Sequence, residues 1–383
     1  MSSRDLHDRP NLQQYKKQAK ALLRQYKAGD AAALSRFREH HPARSTTATR
    51  RTVRLSDAQC VLAREHGFDS WPKFVKHVEA ASGREPDQST AVRAIQLHVP
   101  THAEVNLAVF LVDGERMLTA TEAEPVRLWD LAGGTCLREF AGFSNHAWAL
   151  KPATDQRSVA MGCRDGAVRV VDLEDGRVRK TLIGHRGIVR CIDASADLGL
   201  VISGGMQDQT LRVWDTASER CAAILEGHRG GIYSVALDRE GRRALSGSRD
   251  GTMRLWDLER GQCAHVFDAH AYHVHGVAWA ADGRRALSCS QEIRLWDLEN
   301  GTCVRTFEGH TATIRSVSWG ANQRLALSAA HDCTVRVWDV ETGGCRHVFA
   351  GHSTGAINAV WASGGRILSC DWNGEVRTWR MPE

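Results

Sequence analysis

A short motif whose clearest form is Leu-Trp-Asp recurs along this chain at nearly constant intervals. The central residues of its seven copies are spaced by 42, 43, 42, 40, 42 and 41 residues. They are Trp129, Val171, Trp214, Trp256, Trp296, Trp338 and Trp379. A period of this length is typical of repeat proteins, in which each unit buries its apolar face only against its neighbours. The chain is therefore predicted to stack seven similar units rather than to fold around one irregular core.

The best-preserved repeat shows which other positions recur. Gly227–His228 comes first, and Ser246, Asp250 and Trp256 follow at fixed distances. A Gly-His pair and a Trp-Asp pair within one unit of ~40–45 residues resemble the repeat of the WD40 family. This resemblance extends from residue 91 to the C-terminus. It implies an all-β seven-bladed WD40 propeller of four-stranded blades, preceded by a small N-terminal all-α domain.

Residues 91–99 are predicted to close the ring. Ile95, Leu97 and Val99 alternate with polar residues, which indicates a β-strand ahead of the first repeat. The last repeat ends soon after Trp379 and lacks a segment for a fourth strand. We therefore expect strand 91–99 to be the outer strand of the last blade, in a propeller domain comprising residues 91–383.

Residues 1–83 are predicted to form a separate helical domain, and the polar residues 84–90 to form a linker. Residues 55–72 resemble a short helical module found ahead of repeat domains in some bacterial proteins, and that resemblance implies no activity. Residues 1–83 contain 16 Lys and Arg against 8 Asp and Glu, whereas the remainder contains 34 against 37. The net positive charge of the chain therefore lies in its helical domain.

The eleven cysteines show no spacing typical of a disulfide framework or a metal site. The closest two, Cys333 and Cys345, are 12 residues apart, so no Cys-x-x-Cys pair exists. Five of the eleven share one place in the repeat, seven residues after a motif Trp, and are predicted to be small buried hydrophobic residues. They are Cys136, Cys221, Cys263, Cys303 and Cys345.

The sequence favours a cytoplasmic protein without a cofactor. It has no run of 18 apolar residues, and its first ten residues have no apolar core, so we expect neither a transmembrane helix nor a secretory signal. It also lacks a phosphate-binding P-loop, a G-x-S-x-G elbow and an H-E-x-x-H pair. We predict no catalytic residue.

The WD40 resemblance also implies a buried hydrogen-bonded set in each blade, made by His, Ser, Asp and Trp. Such a set is expected to be structural, because its repetition around a ring is not typical of a catalytic dyad. Two sets match completely: His228, Ser246, Asp250 and Trp256; and His310, Ser328, Asp332 and Trp338. A third set, His185, Asp208 and Trp214, matches with its serine, Ser203, shifted by one residue from the expected position. Other blades depart from the pattern: the first has Ala123 for Asp, the second Val171 for Trp, the fifth no Asp, and the last Asn373 for Asp.

A histidine cluster leaves two interpretations open. His270, His273 and His275 could converge on a metal ion, which requires two or more imidazoles around one point. The alternative is that His270 is the loop histidine of its blade and the other two lie on the rim of the propeller. We favour the second interpretation and predict no metal site.

Two further positions in each blade are predicted to bind a partner. One lies five residues after the loop His, and the other directly precedes the turn Asp; in the WD40 family both fall on the face around the central channel. The first set is Arg190, Tyr233, His275 and Arg315, with Asn358 shifted by one residue. The second set is Arg164, Gln207, Arg249, His331 and Trp372. Arg, Tyr and Trp are enriched where binding energy is concentrated in protein interfaces.

These patterns favour a non-catalytic interaction scaffold that binds an acidic protein partner on the rim of the channel. Several Arg side chains would provide paired donors for carboxylates. One alternative is a nucleic-acid-associated protein that uses the basic helical domain. Another is an enzyme or metal-binding propeller with its site at the channel mouth. No membrane partner is expected.

Overall fold

The computed structural model describes residues 12–40, 55–66, 68, 71, 74, 78, 91–97, 105–121, 125–140 and 147–381. The chain divides into two compact units, Met1–Gln88 and Ser89–Glu383. The first is helical and the second consists of β-sheets.

The helical unit contains α1 (Leu12–Ala28), α2 (Ala31–His40) and α3 (Leu55–Glu65). Asp30 begins α2, because its Oδ1 accepts a hydrogen bond from the backbone N–H of Ala33 at 2.9 Å. Apolar side chains from all three helices, among them Leu22, Phe37 and Leu62, are buried together. Arg36 and Glu65 join α2 to α3 through paired hydrogen bonds of 2.6 and 2.7 Å.

The second unit contains seven four-stranded antiparallel sheets. Blade 1 comprises β2 (Val105–Phe110), β3 (Arg116–Thr121), β4 (Val126–Asp130) and β5 (Thr135–Phe140). Blade 2 comprises β6 (Ala147–Pro152), β7 (Ser158–Cys163), β8 (Ala167–Asp172) and β9 (Val178–Ile183). Blade 3 comprises β10 (Val189–Ala194), β11 (Leu200–Gly205), β12 (Leu211–Asp215) and β13 (Arg220–Leu225).

Blade 4 comprises β14 (Ile232–Leu237), β15 (Arg243–Ser248), β16 (Met253–Asp257) and β17 (Gln262–Phe267). Blade 5 comprises β18 (Gly276–Trp279), β19 (Arg285–Cys289), β20 (Ile293–Asp297) and β21 (Thr302–Phe307). Blade 6 comprises β22 (Ile314–Trp319), β23 (Leu325–Ala330), β24 (Thr334–Asp339) and β25 (Cys345–Ala350). Blade 7 comprises β26 (Ala356–Trp361), β27 (Arg366–Asp371), β28 (Glu375–Arg380) and β1 (Ala91–Gln96).

The first strand of each blade contacts the first strands of both neighbouring blades, and β26 contacts β2, so the ring is closed. Each motif Trp is buried against the preceding blade; Trp256 of blade 4, for example, shares a core with Leu211 and Val213 of blade 3. A blade alone would leave this apolar face in water, so each repeat depends on its neighbours to bury it. The predicted fold class, a seven-bladed propeller with a small helical N-terminal region, is confirmed.

Blade 7 is the one sheet that combines distant parts of the sequence. β1 pairs antiparallel with β28, with Ala91 opposite Trp379 and Gln96 opposite Glu375. Leu97 follows β1 and is buried with Val105 of blade 1 and Leu368 of blade 7. Residues 98 and 99 of the predicted strand lie outside the described residues.

The predicted burial of the five repeating cysteines is wrong. Each lies on the outermost strand of its blade, opposite the motif Trp, as Cys221 lies opposite Trp214. Outer strands face solvent on the rim, so Cys136, Cys303 and Cys345 are exposed and the other two are only partly buried. All eleven cysteines are free thiols, and the structure contains no disulfide among them.

Candidate binding site in the propeller channel

The innermost strands carry a local irregularity that aims side chains into the channel. In β10, for example, the pairing register shifts between Val189 and Cys191, so Arg190 forms a β-bulge. A bulge turns one side chain out of the normal alternation of the strand. The same shift occurs in β2, β6, β14, β22 and β26. The bulged residues are Asn106, Trp148, Arg190, Tyr233, Arg315 and Ile357.

These residues enclose a cavity of about 200 Å³ that all seven blades line. His275, directly before β18, is the contribution of blade 5. Five of the predicted binding residues are therefore brought together here: Arg190, Tyr233, His275, Arg315 and Asn358. The prediction missed Asn106 and Trp148, because blades 1 and 2 lack the Gly-His from which the position was counted.

Asn358 does not occupy the position assigned to it. The register of β26 places Ile357 at the bulge, and the Asn358 amide donates a hydrogen bond of 2.7 Å to the carbonyl oxygen of Ala108. This bond joins blade 7 to blade 1. Asn358 therefore lines the cavity as a link between blades, and its amide nitrogen is already engaged.

Arg190 is a cation held between two aromatic rings. Its Cζ lies 5.6 Å from the ring centre of Trp148 and 5.4 Å from that of Tyr233, within the range of cation–π attraction. Its Nη1 also contacts the carbonyl oxygen of Trp148 at 3.5 Å. Burial lowers the pKa of Arg190, and no carboxylate of the described residues offsets that effect. A guanidinium nevertheless stays charged at neutral pH, so the cavity holds an uncompensated positive charge.

Arg315 adds a second positive charge to the same cavity. Burial and the nearby Arg190 lower its pKa to about 10. Its Cζ lies 5.9 Å from the ring of Trp372, which in turn packs edge-on against His331 at 5.4 Å. Two like charges in a partly dry cavity are costly, and an anion placed between them would relieve that cost.

The histidine that lines the cavity and two histidines beside it are neutral in this environment. Burial, Arg315 and His273 lower the pKa of His275 to about 3. Burial and Arg249 lower the pKa of His273, and burial and Arg315 lower that of His331. His273 stacks on Tyr233 with ring centres 5.5 Å apart. Neutral imidazoles of this kind supply N–H donors beside the two arginines without adding charge.

The second predicted set is less uniform. None of its residues lines the cavity, but three of them lie beside it. Trp372 contacts the cavity residue Arg315, His331 packs against Trp372, and the charge of Arg249 lowers the pKa of His273. Gln207 instead accepts a hydrogen bond of 2.8 Å from the backbone N–H of Ile188, which shapes its own loop. Arg164 is exposed at the turn of blade 2, and neither it nor Gln207 lines the cavity.

The predicted His, Ser, Asp and Trp sets of blades 3, 4 and 6 are hydrogen-bonded. His Nδ1 lies 2.8, 2.9 and 2.8 Å from the Asp carboxylate, and His Nε2 lies 2.7 Å from the Ser hydroxyl in each. The Trp indole N–H donates to the same hydroxyl at 2.8 Å. Although burial alone would raise the pKa of Asp250, hydrogen bonds from His228 and Thr252 hold it below its usual range. These residues lie within the blades, and none of them lines the cavity.

Two blades retain parts of the set that the sequence pattern did not indicate. In blade 5, His270 contacts Ser288 at 2.7 Å, and Glu292 lies 3.8 Å from its Nδ1 where the prediction found no acid. In blade 7, His352 contacts Ser369 at 2.6 Å, and Trp379 donates to Ser369 at 2.8 Å. The sequence pattern missed the set of blade 5 because its turn is shorter, and that of blade 7 because its acid lies at a different position in the turn.

The three histidines considered as metal ligands do not converge. His270 is engaged by Ser288, whereas His273 and His275 pack around Tyr233 with ring centres 5.9 Å apart.

None of the helices in the described part of the chain combines the length and apolarity required to cross a membrane.

Comparison with known proteins places the propeller among characterised families. A model described as Nucleolar protein 10-like, N-terminal domain matches residues 144–340, just over half of the chain, and one described as WD domain, G-beta repeat matches residues 343–380. Polycomb protein EED from Chaetomium thermophilum is 33% identical over 26% of this chain and 19% of its own length. Nuclear distribution protein PAC1 from Coccidioides posadasii is 27% identical over 35% of this chain and 33% of its own. Human WD repeat and SOCS box-containing protein 1 is 30% identical over 28% of this chain and 27% of its own.

The match thus spans a third or less of the length of each of these relatives. Their shared feature is the WD repeat, which in general terms indicates a protein-interaction scaffold. The chain therefore belongs to the WD-repeat β-propeller proteins, and its residues 144–340 belong to the family of the Nucleolar protein 10-like, N-terminal domain.

Proposed function

We propose that this chain is a non-catalytic scaffold whose protein partner docks over the channel and inserts an acidic group between Arg190 and Arg315. The observation that carries the proposal is the charge of the cavity. Both guanidinium groups are substantially buried, and no carboxylate of the described residues neutralises them. A structural arginine is normally paired when buried, because an unpaired buried charge is destabilising. A ligand anion would supply the missing partner.

The surroundings of the two arginines favour a protein ligand. The planar guanidinium forms paired hydrogen bonds with a carboxylate, and a phosphate group shares that chemistry. Trp148, Tyr233 and Trp372 provide rigid apolar area beside the charges. Aromatic and Arg side chains clustered at the centre of a surface are typical of residues that dominate binding energy.

The proposal is tested with a fluorescently labelled octaglutamate peptide and the full-length chain. We expect saturable binding by fluorescence anisotropy, weakened at least about tenfold by Arg190→Met or Arg315→Met, since each removes a central charged anchor. An octalysine peptide should not bind. Displacement of the peptide by inorganic phosphate would indicate that the cavity binds a phosphate group as well as a carboxylate.

The matched control is Arg220→Ala on the outer strand β13, an exposed arginine that does not line the cavity. It should leave the affinity for octaglutamate unchanged. Equal affinity of the wild type and Arg315→Met, with circular dichroism showing both folded, would place the acidic ligand elsewhere and overturn the proposal.

A second candidate concerns the helical unit. Lys17, Lys20, Arg24 and Lys27 are exposed and recur at helical spacing along α1, so they lie on one face. A basic helical face of this kind could contact nucleic-acid phosphates. The test is binding of the full chain to a short DNA duplex at two salt concentrations, compared with Lys17→Glu/Arg24→Glu. Salt-independent binding, or equal binding by the variant, would exclude this alternative.

A further inference from the structure

The histidine of blade 7 differs from its counterparts at one ring nitrogen. His352 Nδ1 lies 3.5 Å from Asp371 Oδ2 and 4.0 Å from Glu375 Oε2, and it makes no hydrogen bond although its side chain is fully buried. In blades 3, 4 and 6 the same atom lies 2.8, 2.9 and 2.8 Å from a single Asp. In blade 7, therefore, the hydrogen bond between His Nδ1 and Asp is missing, and a second carboxylate lies beside the imidazole ring.

The two acids occupy positions that carry hydroxyl groups in blade 4. Counted from the shared Ser, Asp371 corresponds to Ser248 and Glu375 to Thr252, while Asn373 takes the place of Asp250. In blade 4 the Thr252 hydroxyl lies 3.2 Å from the Nδ1 of its histidine. The pocket of blade 7 therefore holds two carboxylates where that of blade 4 holds one, because Asn373 replaces Asp250.

Among the described residues, only one of the two carboxylates in this pocket pairs with a lysine or an arginine. Asp371 and the His352 ring are completely buried, and Glu375 is 13% exposed. Arg377 pairs with Glu375 Oε1 at 2.6 Å, which accounts for one of the two negative charges. Asp371 Oδ1 accepts backbone N–H groups from Asn373 at 3.0 Å and from Glu375 at 2.9 Å. Its Oδ2 accepts only longer hydrogen bonds, from the Thr354 N–H at 3.3 Å and the Ser353 hydroxyl at 3.4 Å, and no lysine or arginine. A buried carboxylate without a cationic partner is a position that a metal ion can stabilise.

We propose that His352 Nδ1, Asp371 Oδ2 and Glu375 Oε2 bind one Zn²⁺ ion. Their ligand atoms all lie within 4.8 Å of one another. Ligand atoms at 2.0–2.2 Å from a tetrahedral ion are separated by about 3.4 Å, so binding would draw the three side chains together by up to about 1.4 Å. Ser369 at 2.6 Å from Nε2 supplies the outer hydrogen bond that orients a metal-binding imidazole. Imidazole nitrogen and carboxylate oxygen are both ligands that Zn²⁺ takes in proteins.

The site would also connect to the channel. Trp372 follows Asp371 directly, and its ring lies 5.9 Å from the Arg315 guanidinium. The carbonyl of Trp372 accepts a hydrogen bond of 2.8 Å from the N–H of Val105 in blade 1. An ion held by Asp371 would therefore fix the turn that carries Trp372 at the junction between the last and first blades.

The experiment measures zinc in the full-length chain purified without a histidine tag. After exposure to Zn²⁺ and gel filtration, elemental analysis should find about one Zn²⁺ per chain, and the melting temperature should rise relative to the chelator-treated protein. Glu375→Thr, which restores the residue type of blade 4, and Asp371→Ser should each lose the ion and the shift.

Glu292→Thr in blade 5 is the matched control. Glu292 faces His270 Nδ1 at 3.8 Å and pairs with Arg294 at 2.7 Å. Among the described residues no second acid joins this pair in a cluster, so this variant should retain the zinc. If a blade 7 variant fails to fold, the visible absorption of Co²⁺ bound by the wild type gives an independent measurement. A wild type that takes up neither Zn²⁺ nor Co²⁺ stoichiometrically, or a folded Glu375→Thr chain that keeps its zinc, would overturn the proposal.

Discussion

The Arg190 guanidinium carbon lies 5.4 Å from the ring centre of Tyr233, although the two residues belong to neighbouring blades. Both side chains reach the channel because each forms the bulge of its innermost strand. The bulge uncouples these positions from the inward and outward alternation that buries the rest of the strand. The propeller can therefore vary the chemistry of its channel without altering the packing between blades.

The two cavity arginines should lower the free energy of unfolding of the ligand-free protein, and binding of an anion should restore it. Replacement of Arg315 by Met removes a buried charge without a carboxylate partner and keeps most of the side-chain volume. We expect the free energy of unfolding in the absence of ligand to rise by about 1 kcal/mol, measured by urea denaturation. Arg220→Ala on the outer strand should change it little. A marked loss of stability in Arg315→Met would show that Arg315 is a structural residue instead.

Binding of an acidic ligand should strengthen as the pH falls. Burial and neighbouring arginines lower the pKa values of His273, His275 and His331 in the free protein. A bound anion stabilises the protonated imidazoles and raises these pKa values, so the complex takes up protons that the free protein does not.

The affinity for octaglutamate should therefore be nearly constant well above the usual histidine pKa of about 6.5 and increase as the pH falls below it, until the glutamates themselves take up protons near their pKa of about 4.3. Anisotropy titrations across this range measure the effect, and His331→Gln should reduce it. A pH-independent affinity, or one that weakens in acid, would contradict the proposed contact between these histidines and the anion.

The His, Ser, Asp and Trp set of blade 4 should matter for stability rather than for binding. Asp250→Ala leaves the His228 Nδ1 donor without its 2.9 Å partner in a buried position, which should cost ~1–3 kcal/mol. Glu292→Ala in blade 5 should cost less, because its carboxylate lies 3.8 Å from the His270 ring nitrogen. Chemical denaturation compares the two variants. Unchanged stability with loss of octaglutamate binding would instead assign Asp250 to the binding site.

The same set predicts how stability depends on pH. Hydrogen bonds from His228 and Thr252 outweigh burial and keep the pKa of Asp250 below its usual range. The stability that Asp250 contributes is thus present above the pKa of a free Asp, about 4. It is lost as the pH falls toward the lowered pKa of the folded state.

The Trp spacing was sufficient to predict the fold class, because the blade period is a property of the sequence itself. The same spacing located the hydrogen-bonding residues of blades 3, 4 and 6. It could not locate Glu292 or Asp371, because each acid lies off the expected position and replaces the missing Asp only in three dimensions. A pattern search aligned on one position cannot detect such a displaced substitute.

The channel shows a second limit of sequence reasoning. Counting five residues from the loop His placed Arg190 and Arg315 correctly among the lining residues. The one-residue shift that selected Asn358 was wrong, because the unshifted count from His352 gives Ile357, the residue at the bulge. Trp148 was omitted because its blade has no loop His from which to count. Burial of the outer-strand cysteines was misjudged for a related reason: their position repeats as regularly as that of a core residue, but on the solvent side of the blade.

Ring closure by β1 provides the last prediction. Residues Ala91–Gln96 pair with β28, and Leu97 is buried between blades 1 and 7 at 1% exposure. A chain that begins at residue 91 keeps this strand, whereas one that begins at residue 98 exposes the edge of β28 and the apolar core beneath Leu97. We expect the longer propeller to melt cooperatively and the shorter one to melt at a markedly lower temperature, measured by calorimetry. Within the full chain, Leu97→Ala should cost ~2–4 kcal/mol as a cavity-forming change, whereas Arg220→Ala should cost little. Equal melting temperatures for the two truncated chains would show that β1 is dispensable and that three strands suffice for blade 7.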